Sequence, residues 1–447
     1  MKRRTEATIP MLTRDQNDLV TRTGPGTPGG ALMRRYWQPA ALTEELDPKR
    51  PVKALRLLGE DLVLFRDGHG DYGLIGRHCA HRGTDLANGR LENNGLRCCY
   101  HGWLYDVRGR CLEQPAEPKG STFHRKVRHA GYPCAERNGI VFAYMGPGEP
   151  PPFPAFDCFA APDPFTFAYK GHIDCNWLQL LEGGIDPCHV SFLHRFFEDA
   201  DPAEGYGKQF RDQMADGAGP LTKIMREYDC PQIEAEETDY GLRIFALRDM
   251  GARTHVRVTN LVFPNLIVIP LSDDMIISQW HVPIDDEHSW WYDIFSSYSR
   301  PMDKAAMRDQ RRPLIAPPDY VPTRNRSNGY GYDPEEQRTR TYTGLGEDIN
   351  VHDAWAIESA GPIQDRTTEH LGASDKAIIA NRRMLLRAIE GLDKGTVLPA
   401  AGAAAGDLRG PVAVDMVGSS DGWHDEWRRH DAARRARSSW GAPLVPA

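Results

Sequence analysis

The sequence predicts an α+β protein of two domains: a small antiparallel β domain, then a larger one that sets a broad antiparallel sheet against helices. Three observations carry this. At 447 residues the chain exceeds the size at which one hydrophobic core keeps growing. From Val52 to Phe153, short β-branched runs such as LRLLGEDLVLFRDGHGDYGLI and NGIVFAYMG are separated by Gly and Asp turns. Beyond GPGEPPPFP, residues 146–154, which can continue neither a helix nor a ladder, longer strand candidates follow: GLRIFALRD, THVRVTNLVF, LIVIPL, MIISQWHV and WWYDIFSSY.

Taken in order, residues 1–45 read as a leader and a helix. Everything before Met11 is expected to be unstructured, and Thr13 and Gln16 have the spacing of a capping box for a helix reaching Val20, ended by the Gly24-Pro25-Gly26 turn. Residues 46–155 form the first domain and 156–395 the second, in which a helical stretch rich in His and Asp precedes the long strands. Residues 301–350, rich in Arg, Pro and Tyr, read as a long loop of the kind that makes lids and binding loops. Ser374 and Asp375 cap a helix to about Glu390, with Ile378, Ile379, Leu385, Leu386 and Ile389 on one side. Residues 396–447, rich in Ala, Gly and Arg, read as a partly disordered tail.

Composition narrows the function. Hydrophobic residues at 40% and charged residues at 26% are an ordinary soluble mixture, and 54 Lys and Arg against 62 Asp and Glu argue against a nucleic-acid partner. Nine cysteines are too sparse for a disulfide scaffold, so a reducing compartment is expected, with Cys111, Cys134, Cys158, Cys175, Cys188 and Cys230 as small packing residues. The basic N-terminus lacks an apolar run, and the longest apolar stretch, Leu266–Leu271, is too short to span a bilayer. The expectation is a cytoplasmic protein with no membrane partner.

Two metal-ligand patterns stand out. The first is Cys79-x-His81 followed, after sixteen intervening residues, by Cys98-x-x-His101. Two thiolates and two imidazoles fit a [2Fe-2S] cluster whose histidine-bound iron carries less negative charge, which raises the reduction potential. A structural zinc site uses the same donor set and is the alternative. Spacing selects Cys98 over Cys99, while Trp103 and Tyr105 are expected to pack over the cluster and His78 to be a surface residue.

The second pattern is Glu182-x-x-x-Asp186-x-x-His189-x-x-x-x-His194. Mononuclear non-haem iron takes two imidazoles and a carboxylate on one face and keeps positions open for dioxygen. On an ideal helix, residues five apart are roughly 140° out of phase, so His189 and His194 converge only if the helix bulges or ends between them. Pro187 suits a first helical position with Asp186 as N-cap, after Gly183-Gly184 ends the previous helix. Glu182, a turn earlier, is expected to support the metal ligands from behind.

HCAHRGTDL and CCYHGWLYD resemble the Rieske domain of ring-hydroxylating oxygenases over residues 40–155. CNWLQLLEGGIDPCHVSFLH and GPIQDRTTEHLGASDKAI resemble the phthalate-dioxygenase branch, which includes phenoxybenzoate dioxygenases and O-demethylases of lignin-derived acids. The likeness runs from Met11 to about Gly391. It implies a Rieske [2Fe-2S] domain on Cys79, His81, Cys98 and His101, joined to a helix-grip catalytic domain with Fe(II) on His189, His194 and a distant carboxylate. In NVHDAWAIESAG, Asp353 has an acidic residue, Glu358, five positions on, as the family's ligand does; Glu347, Asp348 and Asp365 compete.

The resemblance also implies that Asp186 bridges His101 of a neighbouring chain and His189 of its own. It implies a homotrimer or dimer of trimers, and a separate flavin and iron-sulfur reductase that passes on electrons from NADH. The expected activity is that of a terminal oxygenase using O2 to hydroxylate or O-demethylate an aromatic carboxylate. A Rieske-type electron carrier without oxygenase chemistry is the alternative, although it leaves everything after residue 155 unexplained.

An aromatic acid calls for a cation. Arg243 and Arg248 share a predicted strand but fall on opposite faces. Arg243, beside Phe245 and Leu247, is the expected carboxylate clamp, whereas Arg253, His255 and Arg257 read as a solvated strand face.

Overall fold

The computed structural model describes residues 12–198, 221–395, 397–401 and 403–441. The expected leader before Met11 lies outside them. The capping box is present: Thr13 Oγ1 accepts from Gln16 N at 3.2 Å, Gln16 Oε1 accepts from Thr13 N at 3.0 Å, and the helix runs Arg14–Thr21.

The first domain is built from three small antiparallel sheets. One pairs Trp37–Leu42 with Ile140–Tyr144 and then Cys134–Arg137; the second orders Val52–Leu57, Glu60–Arg66, Tyr72–Gly76 and Gly131–Tyr132. The third orders Arg90–Glu92, Gly95–Arg97, Leu104–Tyr105 and Cys111–Glu113, and it carries the Cys98 loop between its second and third strands. A separate apolar cluster of Val63, Phe65, Ile75, Leu86, Leu96, Trp103 and Tyr105 lies beneath the four-residue metal pattern and includes Cys79 and Cys98.

The second domain is one antiparallel sheet in the order Thr166–Ile173, Ser289–Ser297, Met275–Pro283, Leu266–Pro270, Arg253–Val262, Gly241–Asp249, Gln232–Glu237. Three helices position the site. Trp177–Gly184 is capped by Asn176, whose Oδ1 accepts from Leu178 N at 3.1 Å. Ile349–Glu358 is capped by Asp348, and Lys376–Gly391 packs Met384, Leu385 and Ile389 into the core. The domains share one core: Tyr292 Oη donates to Ala40 O at 3.0 Å, and buried Lys170 meets Glu45 of the first domain at 2.7 Å.

Two expectations are corrected. Residues 301–350 are not one structureless loop, since Lys304–Arg311 and Pro334–Thr339 are helices, capped by Asp303 and Asp333. Nor is the C-terminal segment a disordered tail in its described part. Val414–Ser419 pairs with Arg253–Val262 as an added strand, and the Trp423–Arg437 helix buries Trp423 and Trp427 against Phe245, Leu247, Val256 and Val258. Two of its arginines mislead a composition reading because they are inside: Arg435 bridges Asp431 at 2.7 Å and Asp157 at 2.5 Å, and Arg434 bridges Asp431 at 2.5 Å. Paired charges of this kind can be buried where isolated ones cannot.

Candidate metal centres and the cavity between them and the sheet

The two halves of the first pattern fold alike. Cys79 N donates to Thr84 O at 2.9 Å and Gly83 N returns to Cys79 O at 2.8 Å; Cys98 N donates to Trp103 O at 2.8 Å and Gly102 N returns to Cys98 O at 3.0 Å. Gly102 has a φ of +76° and a Cβ there would meet Pro115 Cγ at 2.6 Å, so glycine is required by both backbone and space.

These loops bring the thiols together inside and the imidazoles together at the tip. Cys79 and Cys98 are buried free thiols at 3% and 2% exposure, and the His81 and His101 rings sit 4.4 Å apart, edge to face. Trp103 stacks on His81 at 4.6 Å, and Tyr105 Oη lies 3.2 Å from Cys79 Sγ. Burial pushes the Cys79 thiol up, which disfavours a bare thiolate and favours one that shares its charge with a metal. His101 Nδ1 is buried with no hydrogen-bond partner, as a nitrogen reserved for a metal would be. The residues therefore fit a [2Fe-2S] cluster. Cys99, exposed and directed at Asn88 O, takes no part.

The second pattern converges because the helix breaks. Trp177–Gly184 ends at the double glycine, Asp186 Oδ1 accepts from Cys188 N at 2.8 Å to form a local turn over Pro187, and only a short helical turn, His189–Ser191, follows. The expected new helix with Asp186 as its cap is thus reduced to one turn. This places the His189 and His194 rings 5.1 Å apart at 87°, instead of on opposite sides of a cylinder.

Asp353, from the Ile349–Glu358 helix, completes the group. Its Oδ1 is 3.3 Å from His194 Nε2 and 3.7 Å from His189 Nε2, and one donor atom from each of the three residues lies within 4.8 Å of the others. This two-imidazole, one-carboxylate set fits mononuclear iron, and His189 Nδ1, on the ring's other side, is buried without a hydrogen-bond partner, 4.0 Å from Asp186 Oδ2. Burial pushes the His189 imidazole down, as His194 does; burial pushes Asp353 up, but His194 and His189 outweigh it and hold the carboxyl below its ordinary value. A neutral imidazole and an ionised carboxylate are the ligand forms.

The competitors are otherwise employed. Asp348 caps the helix, Glu347 pairs with Arg340, and Asp365 accepts from Thr367. Glu182 does not support the metal ligands: it is buried between Arg366 at 3.0 Å and Arg382 at 2.6 Å, tying its helix to the C-terminal part of the domain. Position in the motif misled here, because the helix turns that side chain away from His189. His352 was missed by sequence reasoning. Its Nδ1 lies 3.3 Å from His194 Nδ1 and its Nε2 lies 2.9 Å from Gly346 O, so it steadies the His194 ring from behind.

A cavity of about 240 Å³ opens beside these ligands, bounded by Gly183–Gly184, His189, His194, Asp353 and the sheet. Its walls are mostly apolar, including Ile267, Ile269, Ile277, Trp291 and Phe295, with Arg257, Gln279 and Arg311 among the polar members. Arg243 does not line it. Its strand partners place Arg243, Phe245 and Leu247 on the opposite face, where Arg243 meets Glu236 at 3.2 Å and lies over the Trp427 ring. Among the arginines that line it, Arg257 comes from the strand face expected to be solvated; there His255 is fully buried and Asp415 pairs with both.

Comparison with known proteins gives the family. A Rieske [2Fe-2S] domain model matches residues 36–130, and a model described as LigXa C-terminal domain like matches 143–439. The phthalate 4,5-dioxygenase oxygenase subunit of Pseudomonas putida is 35% identical over 94% of this chain and 96% of its own. The 5,5'-dehydrodivanillate O-demethylase oxygenase subunit of Sphingobium sp. is 35% identical over 86% and 82%, and the tert-butanol monooxygenase / tert-amyl alcohol desaturase oxygenase subunit of Aquincola tertiaricarbonis 35% over 83% and 76%. Among solved structures, the Pseudomonas putida CBB5 NdmA QL mutant with theobromine superposes with a TM-score of 0.54 at 21% identity over 81% of this chain and 93% of its own, a likeness of fold.

The chain belongs to the Rieske non-haem iron oxygenases, as an oxygenase-component subunit. Within that family it is similar to the phthalate-dioxygenase and O-demethylase oxygenase subunits, and it joins a Rieske [2Fe-2S] domain to a LigXa-like C-terminal domain.

Proposed function

We propose that Cys79, His81, Cys98 and His101 hold the cluster, that His189, His194 and Asp353 hold the iron, and that the chain hydroxylates or O-demethylates an aromatic carboxylate. The observation that carries this reading is the His189, His194 and Asp353 group set against an apolar cavity wide enough for a substituted ring. When bound, the iron supplies dioxygen activation and the cluster one-electron storage. The protein's own residues do the rest. Ile267, Ile277, Trp291 and Phe295 exclude water around the ring, Arg257 offers the acid its positive charge, and His352 fixes His194.

Asp186 is the proposed link between chains. With Oδ1 held by Cys188 N, its Oδ2 remains beside His189 Nδ1, open to a histidine of a second copy such as its His101. Exposed Phe192, Tyr332, Tyr342 and Trp355 surround the outer side of the iron ligands, and His81 lies exposed at the tip of the first domain, as a head-to-tail homotrimer or dimer of trimers requires. The proposed electron donor is a flavin and iron-sulfur reductase fed by NADH. Among the described residues no helix is long and apolar enough to cross a membrane, and the cytoplasm is the proposed location.

The deciding experiment supplies reductase, NADH and O2 with phthalates, phenoxybenzoates, methoxybenzoates and tert-butanol, scoring NADH consumed against formaldehyde released. Coupled turnover of the aromatic acids supports the reading, and formaldehyde identifies demethylation. Turnover of tert-butanol alone would replace the substrate class. The electron-carrier alternative predicts no product from any of them.

A further inference from the structure

Besides Arg257 and Thr259, the sheet face under the cavity carries one further polar row. In the register of Met275–Pro283 against Ser289–Ser297, Ile277 pairs with Phe295, Gln279 with Asp293 and His281 with Trp291. The apolar residues of these pairs, together with Gln279, line the cavity. Asp293 and His281 sit behind it, at 1% and 0% exposure, and a Cβ on Gly184 would come within 3.2 Å of the His281 ring. Polar groups buried in such a face are costly unless they are hydrogen-bonded.

The three side chains are joined in one line. Gln279 Nε2 donates to Asp293 Oδ1 at 2.8 Å, and His281 Nε2 donates to Gln279 Oε1 at 3.0 Å. The amide cannot be reversed, because that would set its oxygen against the Asp293 carboxylate. Burial pushes the His281 imidazole down to about 3, so the ring is neutral, with its proton on Nε2 facing the amide oxygen. Gln279 is therefore held at both ends and has one N–H left to offer the cavity.

We infer that Gln279 is a specificity-determining residue whose remaining N–H hydrogen-bonds a neutral oxygen substituent on the substrate ring, with His281 and Asp293 as the residues that position it. This rests on the aromatic-acid reading and extends it. The arginines that line the cavity carry the charge that a carboxylate needs, whereas an uncharged N–H in an apolar wall suits an ether or hydroxyl oxygen. Such a wall admits a ring bearing an oxygen at that point and penalises one that leaves the donor unpaired.

The test titrates the metal-loaded enzyme at pH 8 with 3-methoxybenzoate and with 3-ethylbenzoate, which matches it in shape but lacks the acceptor. Wild type is expected to prefer the methoxy acid by about 5- to 10-fold. Gln279→Leu is expected to bring the two affinities within about 2-fold by losing affinity for the methoxy acid only, with iron content and visible spectrum unchanged. Gln279→Met, which keeps the chain length, repeats the measurement should the Leu variant fold poorly. A variant that keeps the wild-type preference, or that weakens both ligands alike, overturns the inference while leaving the aromatic-acid reading in place. Wild type that binds neither acid removes both.

Discussion

Glu182→Leu separates the two roles that this carboxylate can have. It lies three residues before Ile185 and four before Asp186, which suggests a place near the iron, yet the structure gives it to Arg366 and Arg382. Burial pushes the Glu182 carboxyl up, but the two guanidiniums outweigh it and hold it below its ordinary value. Removing it leaves Arg366, 0% exposed, with only Asn17 Oδ1 at 3.3 Å and Gln364 O at 3.5 Å, while Arg382 keeps Glu369 at 2.5 Å. One buried charge loses its counter-ion and the other keeps half of its pairing. Breaking such a pair costs about 3–5 kcal/mol. For a domain of this size that corresponds to a fall of roughly 6–20 °C in Tm. Thermal unfolding followed by circular dichroism, with iron measured on the folded protein, reads both quantities. The expected variant melts early but binds iron fully below its transition. A variant that melts like wild type and has lost its iron would refute the reasoning and return Glu182 to the metal site.

The other predictions concern single contacts. Tyr105→Phe removes the hydroxyl beside Cys79 Sγ and is expected to lower the cluster's midpoint potential by roughly 40–80 mV, read by a spectroscopic redox titration; an unchanged potential contradicts the contact. Asp353→Ala is expected to lower total iron by about one-third and abolish product while the visible spectrum persists, whereas unaltered iron would exclude it as a ligand. Asp415 is buried, which pushes its carboxyl up, but His255 and Arg257 hold it at about 2, below its ordinary 3.8. Its folded pKa is the lower one, so its stabilisation is complete above pH 3.8 and is lost as pH falls towards about 2. Acid unfolding of Asp415→Asn should lack this component, and an identical acid profile would refute it. Asp186→Asn is expected to keep both metals but lose most steady-state turnover; full turnover would rule out the proposed link between chains.

The sequence made legible those parts of the site that are local. Two six-residue loops with their turn glycines announce the cluster, and the clash between a five-residue spacing and a straight helix correctly demanded a break between His189 and His194, which falls where the short turn His189–Ser191 ends. Asp353 is far from its partners in sequence, and only resemblance singled it out from Glu347, Asp348 and Asp365. Strand alternation placed Arg243 and Arg248 on opposite faces, but could not say which face the cavity takes. That is decided by the C-terminal helix, whose Trp423 and Trp427 cover the Arg243 side and whose composition hid its fold. The row of Gln279, His281 and Asp293 depends on the register of two strands and has no motif of its own.

The proposed function puts in one chain both an electron store and the residues that spend the electron on an aromatic acid. The most direct measurement is a single turnover: purified protein reduced chemically, freed of reductant and mixed with O2 and 3-methoxybenzoate in the absence of any reductase. Wild type should yield oxidised product in proportion to chains, and His194→Ala, with its visible spectrum intact, should yield none. Equal product from both proteins, or none from fully metallated wild type with any acid it binds, would contradict the account.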